Sequence, residues 1–417
     1  MFCIQDPSYE NSKYLHETLL TECVGSVAGA GAYAFATKDG IHLLFKDDDF
    51  IDFLKAGTYT LVVGMDDITN VHSIDALTEL KNKYGKHLHV KAYVHSAKGS
   101  TFHPKFSWFR KANGGSLILG SGNLTQNGLR YNREAYNVIQ YDEEGMAEVI
   151  AEWDRWYAHS APFLFDIDDP VVRIKAELNS DSLRAMSAAK TAIKQASSSP
   201  HGKIDLSALY MNQPKNQIPR EKRPPAKTPA AEASPTASDN TPVIADEEFD
   251  IDTHYWTINR ESAVLIAEIP GGGNRWKQAN FNKFSFEHYF GATCGKNGEY
   301  RILLKSVNPD GSMNATEVRP SVSVASRNYR FELDAANGLK YPQGNERPIA
   351  IFAKVSCRDF IYMLLMPGQE GYNDVMAFIG KSAPPSARMR RLQYTAKNVI
   401  DSIPDLAIWK RLEEEEN

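Results

Sequence analysis

Apolar residues recur every third or fourth position over two long stretches. In Val71–Tyr84 they are Val71, Ile74, Leu77 and Leu80; in Glu144–Tyr157 they are Met146, Val149, Ile150, Trp153 and Trp156. That spacing lines one face of a helix, so both stretches are predicted as amphipathic helices. Asp47–Lys55 has a helical pattern, and Val171–Ile193 carries Val171, Ile174, Leu178, Met186 and Ile193 at helical intervals. Between these lie short runs rich in β-branched and aromatic residues: Tyr33–Thr37, Tyr59–Val63, His87–Val94, Lys105–Trp108, Leu117–Gly120 and Ala135–Tyr141. Such runs predict strands. The alternation predicts an α/β layered domain over residues 1–165.

The pattern then changes. Residues 166–245 are predicted as a helix followed by a linker, because Ser197–Asn240 is poor in apolar residues and rich in Pro, Ala, Ser and Lys. Over 246–385 the predicted strands are His254–Asn259, Ala263–Ile269, Tyr300–Val307, Tyr329–Leu333, Ile349–Val355, Phe360–Met366 and Val375–Ile379. Turn signals such as PGGGN, NPDG and PGQEGYN separate them. This predicts an all-β barrel or sandwich. Residues 386–417 are expected to be a helix, Ser386–Leu412, and an acidic tail, Glu413–Glu416.

A chain of 417 residues fits two domains of this kind. Its formal net charge is −5, so affinity for a polyanion must come from local patches. Leu80–Arg133 holds ten Lys/Arg and no acid, and His254–Arg330 holds ten Lys/Arg against six acids, a local +4. The four cysteines form no CxxC pair, which predicts free thiols rather than a zinc site. The first residues lack a signal-peptide pattern and no apolar run is long enough to span a bilayer, so a cytoplasmic location without membrane contact is expected. Gly380-Lys381-Ser382 lacks the upstream glycine of a P-loop, so any ATP dependence would come through a partner.

The candidate chemistry lies in Phe102–Glu134. His103 and Lys105 are two apart, as are Ser121 and Asn123, so each pair would share one strand face. Phosphoryl transfer needs a nucleophile, donors for the phosphoryl oxygens and an acid for the leaving group. An imidazole, a lysine and an amide fit those needs, and a carboxylate such as Glu134 can hold the imidazole in one tautomer. With imidazole as nucleophile and lysine as cation, the chemistry needs no divalent metal. His87, His89, His95 and His103 could be grouped as metal ligands, but their alternation fits the polar face of a strand better. Asp66-Asp67 fits either a site at a strand end or a helix N-cap. His201-Gly-Lys203 imitates the His-x-Lys pair without a following GSxN and is set aside as a decoy.

His-x-Lys followed by Gly120-Ser121-Gly122-Asn123 resembles the phospholipase D superfamily. That family's usual pattern puts an Asp five residues after the Lys, where this chain has Arg110. The spacing of His103, Lys105, Asn123 and Glu134 resembles more closely the metal-independent restriction endonucleases of the BfiI and NgoFVII type. The resemblance implies that His103 attacks phosphorus and forms a phosphohistidine. Lys105 and Asn123 would hold the phosphoryl oxygens, Glu134 would support His103, and Ser121 would bond the phosphate or the motif backbone. Only one half-site is present, so a homodimer is expected, with one His103 attacking and the other protonating the leaving 3′ oxygen.

Phe281–Gly291 and the turn after it resemble the DNA-binding pseudobarrel of the same enzymes. Arg275, Lys277, Asn280, Asn282 and Lys283 would then form one arm gripping double-stranded DNA. The fold expected is thus an α/β phospholipase-D-like N-terminal domain plus an all-β pseudobarrel C-terminal domain. The function expected is a site-specific DNA endonuclease of the restriction type. A separate ATPase subunit and a cognate methyltransferase are the partners this kinship implies. The alternatives are a phosphodiesterase acting on single-stranded nucleic acid or lipid, and a DNA-binding protein with an inactive nuclease domain. The linker would either restrain the nuclease or track DNA.

Overall fold

A computed structural model describes residues 1–9, 11–97, 99–196, 256–271, 276–292, 299–323, 329–344, 346–383 and 389–412. The expected linker, the His201-Lys203 pair and Arg275 lie outside these residues.

Eight strands build the first sheet: β1 (Phe2–Gln5), β2 (Ala28–Tyr33), β3 (Thr58–Gly64), β4 (Leu88–Tyr93), β5 (Lys105–Lys111), β6 (Gly114–Gly120), β7 (Glu134–Tyr141) and β8 (Leu164–Asp166). Their order is β1-β7-β6-β5-β2-β3-β4-β8. β2, β3 and β4 run parallel, and β5 returns antiparallel to β2. The central strands are apolar on both sides, because both faces are covered. On β3, Tyr59, Leu61 and Val63 join one core with Phe45, Phe50 and Leu77, while Val62 joins the other with Trp108, Met146 and Trp153. The helices are α1 (Leu15–Cys23), α2 (Lys38–Phe45), α3 (Asp48–Ala56), α4 (Val71–Tyr84), α5 (Glu143–His159) and α6 (Pro170–Ala196). The N-cap of α4 is Asn70, whose side chain accepts from Ser73 N, so Asp67 does not fill that role.

The later residues form two further sheets. The strands are β9 (Ala263–Glu268), β10 (Gln278–Phe281), β11 (Arg301–Ser306), β12 (Glu317–Pro320), β13 (Val322–Ser323), β14 (Tyr329–Glu332), β15 (Ile349–Lys354), β16 (Asp359–Leu365) and β17 (Arg391–Thr395). Six of them order as β12-β11-β16-β15-β9-β17, and three as β10-β14-β13. An aromatic core including Phe281, Phe290, Phe331, Phe352 and Phe360 lies between them. Two predictions fail here. Val375–Ile379 is not a strand but part of α7 (Tyr372–Ser382), where Tyr372, Val375 and Ile379 fall on one buried helical face. The tail is not one helix: β17 pairs with β9, and only α8 (Ala396–Ile400) and a short 3-10 turn, Ala407–Arg411, follow. His254–Asn259 contributes only an isolated bridge from Ile258 to Leu412 among its described residues.

No helix among the described residues is long and apolar enough to cross a membrane. Cys3, Cys23 and Cys357 are buried thiols outside any disulfide; Cys294 lies outside the described residues.

Candidate active site

Lys105 opens β5 and pairs with Tyr33, the last residue of β2. His103 comes two residues earlier, held in place because Pro104 O accepts from Ala34 N at 2.8 Å. Lys105 Nζ lies 3.0 Å from both Nδ1 and Nε2 of His103. The ammonium therefore sits against the ring, equidistant from its two nitrogens. His103 is exposed, and the edge of the Phe35 ring meets it at 6.1 Å between centroids. Burial pulls the Lys105 ammonium below its ordinary range, and the nearby Glu134 carboxylate opposes that.

The second half of the motif arrives from β6 at the same end of the sheet. Gly122 has no room for a side chain: a Cβ there would lie 2.6 Å from Leu15 Cδ2 and 2.8 Å from Gly128 O. A Cβ on Gly128 would lie 2.6 Å from both Asn123 N and Asn123 O. These two close approaches let the chain fold tightly after Ser121. Asn123 Oδ1 accepts from Phe35 N at 3.2 Å, which fixes the orientation of the amide. Its Nδ2 makes no hydrogen bond among the described residues and is available to an oxyanion. Phe35 thus touches both His103 and Asn123, a role invisible in the sequence because it runs through a backbone N–H and a ring edge.

Glu134 opens β7. Its carboxylate accepts from Ser121 Oγ and, at 3.1 Å, from Asn132 Nδ2. No hydrogen bond joins it to His103, so the support expected for the imidazole is not made in this geometry. Ser121 Oγ also accepts from Ala135 N at 3.1 Å, tying the loop to β7. Arg110 sits near the far end of β5 from Lys105, about 16 Å along an extended strand, and takes no part in the site.

Two of the histidines grouped as candidate ligands, His87 and His95, serve separate structural ends. His87 Nδ1 bonds Gly57 O at 2.8 Å. His95 Nε2 lies 3.2 Å from Asp66 Oδ1, and its Nδ1 accepts from Ala97 N at 3.2 Å. Asp66 Oδ2 accepts in turn from Phe102 N at 2.7 Å, so this pair steadies the segment leading into His103. Among the described residues no group of three or more His, Cys, Asp or Glu is arranged to hold a metal ion. A cavity of about 1050 Å³ opens beside His103 and Lys105, walled by Tyr93, Phe102, Trp153 and Trp156.

The DNA-arm candidates scatter in role. Lys277 Nζ donates to Asn337 Oδ1 at 3.1 Å. Asn280 O accepts from the Arg391 guanidinium at 2.8 and 3.0 Å. Asn282 Oδ1 caps Ser285 N at 2.8 Å. Lys283 is exposed and makes no bond among the described residues.

No family model matches the chain, and neither does any curated protein. Among solved structures it is similar to Nuc, a phospholipase D family member from Salmonella typhimurium, at TM-score 0.30 and 16% identity, covering 40% of this chain and 95% of that one. It is similar to NucT from Helicobacter pylori at TM-score 0.27 and 16% identity, covering 36% and 88%. It is similar to the N-terminal domain of Helicobacter pylori LlaJI.R1 at TM-score 0.24 and 15% identity, covering 32% and 97%. At these scores the likeness alone decides neither fold nor activity.

Proposed function

We propose that this chain is a phosphodiester hydrolase acting on DNA, specifically a site-specific endonuclease of the restriction type. The observation that carries the reading is the placement of an exposed imidazole against a lysine ammonium, with the free amide of Asn123 at the same end of the sheet. A nitrogen of His103 attacks phosphorus. The P–O bond to the leaving 3′ oxygen breaks, and that oxygen takes a proton from a second imidazole, the His103 of another copy in a homodimer. Lys105 and the Asn123 amide neutralise the charge that builds on the non-bridging oxygens. Water then attacks the phosphohistidine, its proton returns to the second imidazole, and His103 is released. Glu134, through Ser121 and its field on Lys105, holds the cationic side of the site together. The sheets after residue 256 would read the DNA as a pseudobarrel, with Lys283 the freest of the described arm residues.

Purified protein is expected to cut plasmid DNA in excess EDTA, because no step uses a metal. Cutting that disappears on chelation and returns with Mg²⁺ would sink the mechanism. His103→Ala should abolish cutting and leave duplex binding intact. Repeating the digestion with and without ATP tests the need for an ATPase partner, and a methylated plasmid tests for a cognate methyltransferase. The aromatic cavity beside His103 favours a second reading, a phosphodiesterase for unstacked bases or lipid. Preference for single strands or phospholipid vesicles over duplex would select it.

A further inference from the structure

Arg130 lies in the π-helical turn Asn127–Tyr131, between Asn123 and Glu134. Its side chain is wholly buried and reaches into the C-terminal sheet. Nε donates to Asp359 Oδ1 at 2.9 Å. One terminal nitrogen donates to Arg301 O at 2.8 Å and to Arg358 O at 3.4 Å. The other faces Glu17 Oε1 at 3.5 Å. Arg301 and Asp359 open β11 and β16, which run parallel as neighbours. The Tyr14 ring lies 4.5 Å from the guanidinium carbons of both Arg130 and Arg358.

One side chain from the motif turn is therefore fastened to Arg301 and Asp359, which open two strands of the C-terminal sheet, and to Arg358 just before β16. Asp359 is fully buried as well, so withdrawing Arg130 would strand two charges without water. From this we propose that Arg130 is a positioning residue: through it, the C-terminal sheet holds Asn123 and Glu134 in register with His103. The effect on turnover rests on the phosphodiesterase reading of the site; the effect on the turn rests on geometry alone.

The test uses the full chain. Asp359→Asn keeps the shape and removes the charge, and Arg130→Lys keeps the charge and removes the fork. Asp47→Asn is the control, because Asp47 pairs with Arg301 in the same interface but belongs to the start of α3. Turnover is measured with bis(4-nitrophenyl) phosphate, which needs no DNA-reading surface, and amide hydrogen exchange is followed over residues 121–134. Asp359→Asn and Arg130→Lys are expected to lower kcat roughly 10- to 100-fold with KM nearly unchanged, as a displacement of about 1 Å would. Exchange should quicken over 123–134 but not over β5. Asp47→Asn should leave both near wild type. Unchanged exchange in Asp359→Asn, quickened exchange with unchanged kcat, or an equal effect from Asp47→Asn would each overturn the proposal. Wild-type protein inert toward every phosphodiester would instead remove the phosphodiesterase reading, with exchange still deciding the role of Arg130.

Discussion

The proposed reaction needs Lys105 charged, yet burial works against its charge and Glu134 works for it. The ammonium is kept until pH rises through its pKa, and removing the carboxylate lowers that pKa further. Glu134→Gln should therefore move the alkaline limb of the pH–rate profile to lower pH, read from kcat/KM against pH. Lys105→Met should cost roughly 10²- to 10³-fold in kcat, the usual price of one oxyanion donor. At this scale the sequence singles out His103, Lys105, Ser121, Asn123 and Glu134 as candidates by type and spacing. What it hid were roles carried by backbone or by fold. Phe35 acts through its N–H, and the carboxylate of Glu134 turns to Ser121 and Asn132 instead of His103.

Among elements, long periodic stretches were legible and short ones were not. α4 occupies the range its apolar spacing marks, Val71–Tyr84. The run Val375–Ile379 is short and apolar, so periodicity alone could not separate a buried strand from a helix. β1 has only four residues, too few for alternation to register, yet it matters to the site. From its end, Gln5 Nε2 donates to Gly128 O at 3.1 Å and to Asn132 O at 3.0 Å, bracing the motif turn. The same turn accepts no added bulk. Gly128→Ala would press a methyl group into the Asn123 backbone and should cost about 1–3 kcal/mol of stability. Thermal unfolding would register the loss, with a fall in turnover as Asn123 shifts.

For the whole molecule, the join between the two halves is ionic and nearly dry. Arg301 donates to Asp47 at 2.7 and 2.9 Å, and Arg358 donates to Glu17 at 2.8 Å through two nitrogens. In the sequence Arg301 counts only toward a local charge balance, Asp47 only as a helix start, and Glu17 and Arg358 carry no signal, because their partners lie hundreds of positions away. Burial tends to raise the Asp47 pKa, but the Arg301 fork outweighs it and holds the carboxyl below its ordinary range. A carboxylate depressed in the fold adds stability that is complete above its unfolded pKa, about 3.9, and is lost as pH falls through the lower folded value. Wild-type protein should thus lose more thermal stability than Asp47→Asn between neutral pH and about pH 3, with the two converging in acid. Parallel melting curves across that range would check it.

The dryness of this join has a practical side. Salt weakens attraction between charges in proportion to the water around them, and Arg301 and Arg358 have almost none, at 2% and 1% exposure. Contacts between an exposed lysine such as Lys283 and a phosphate backbone are wet and yield steeply to added salt. On the proposed reading of the site, raising the ionic strength would strip off bound DNA while the two halves stay locked.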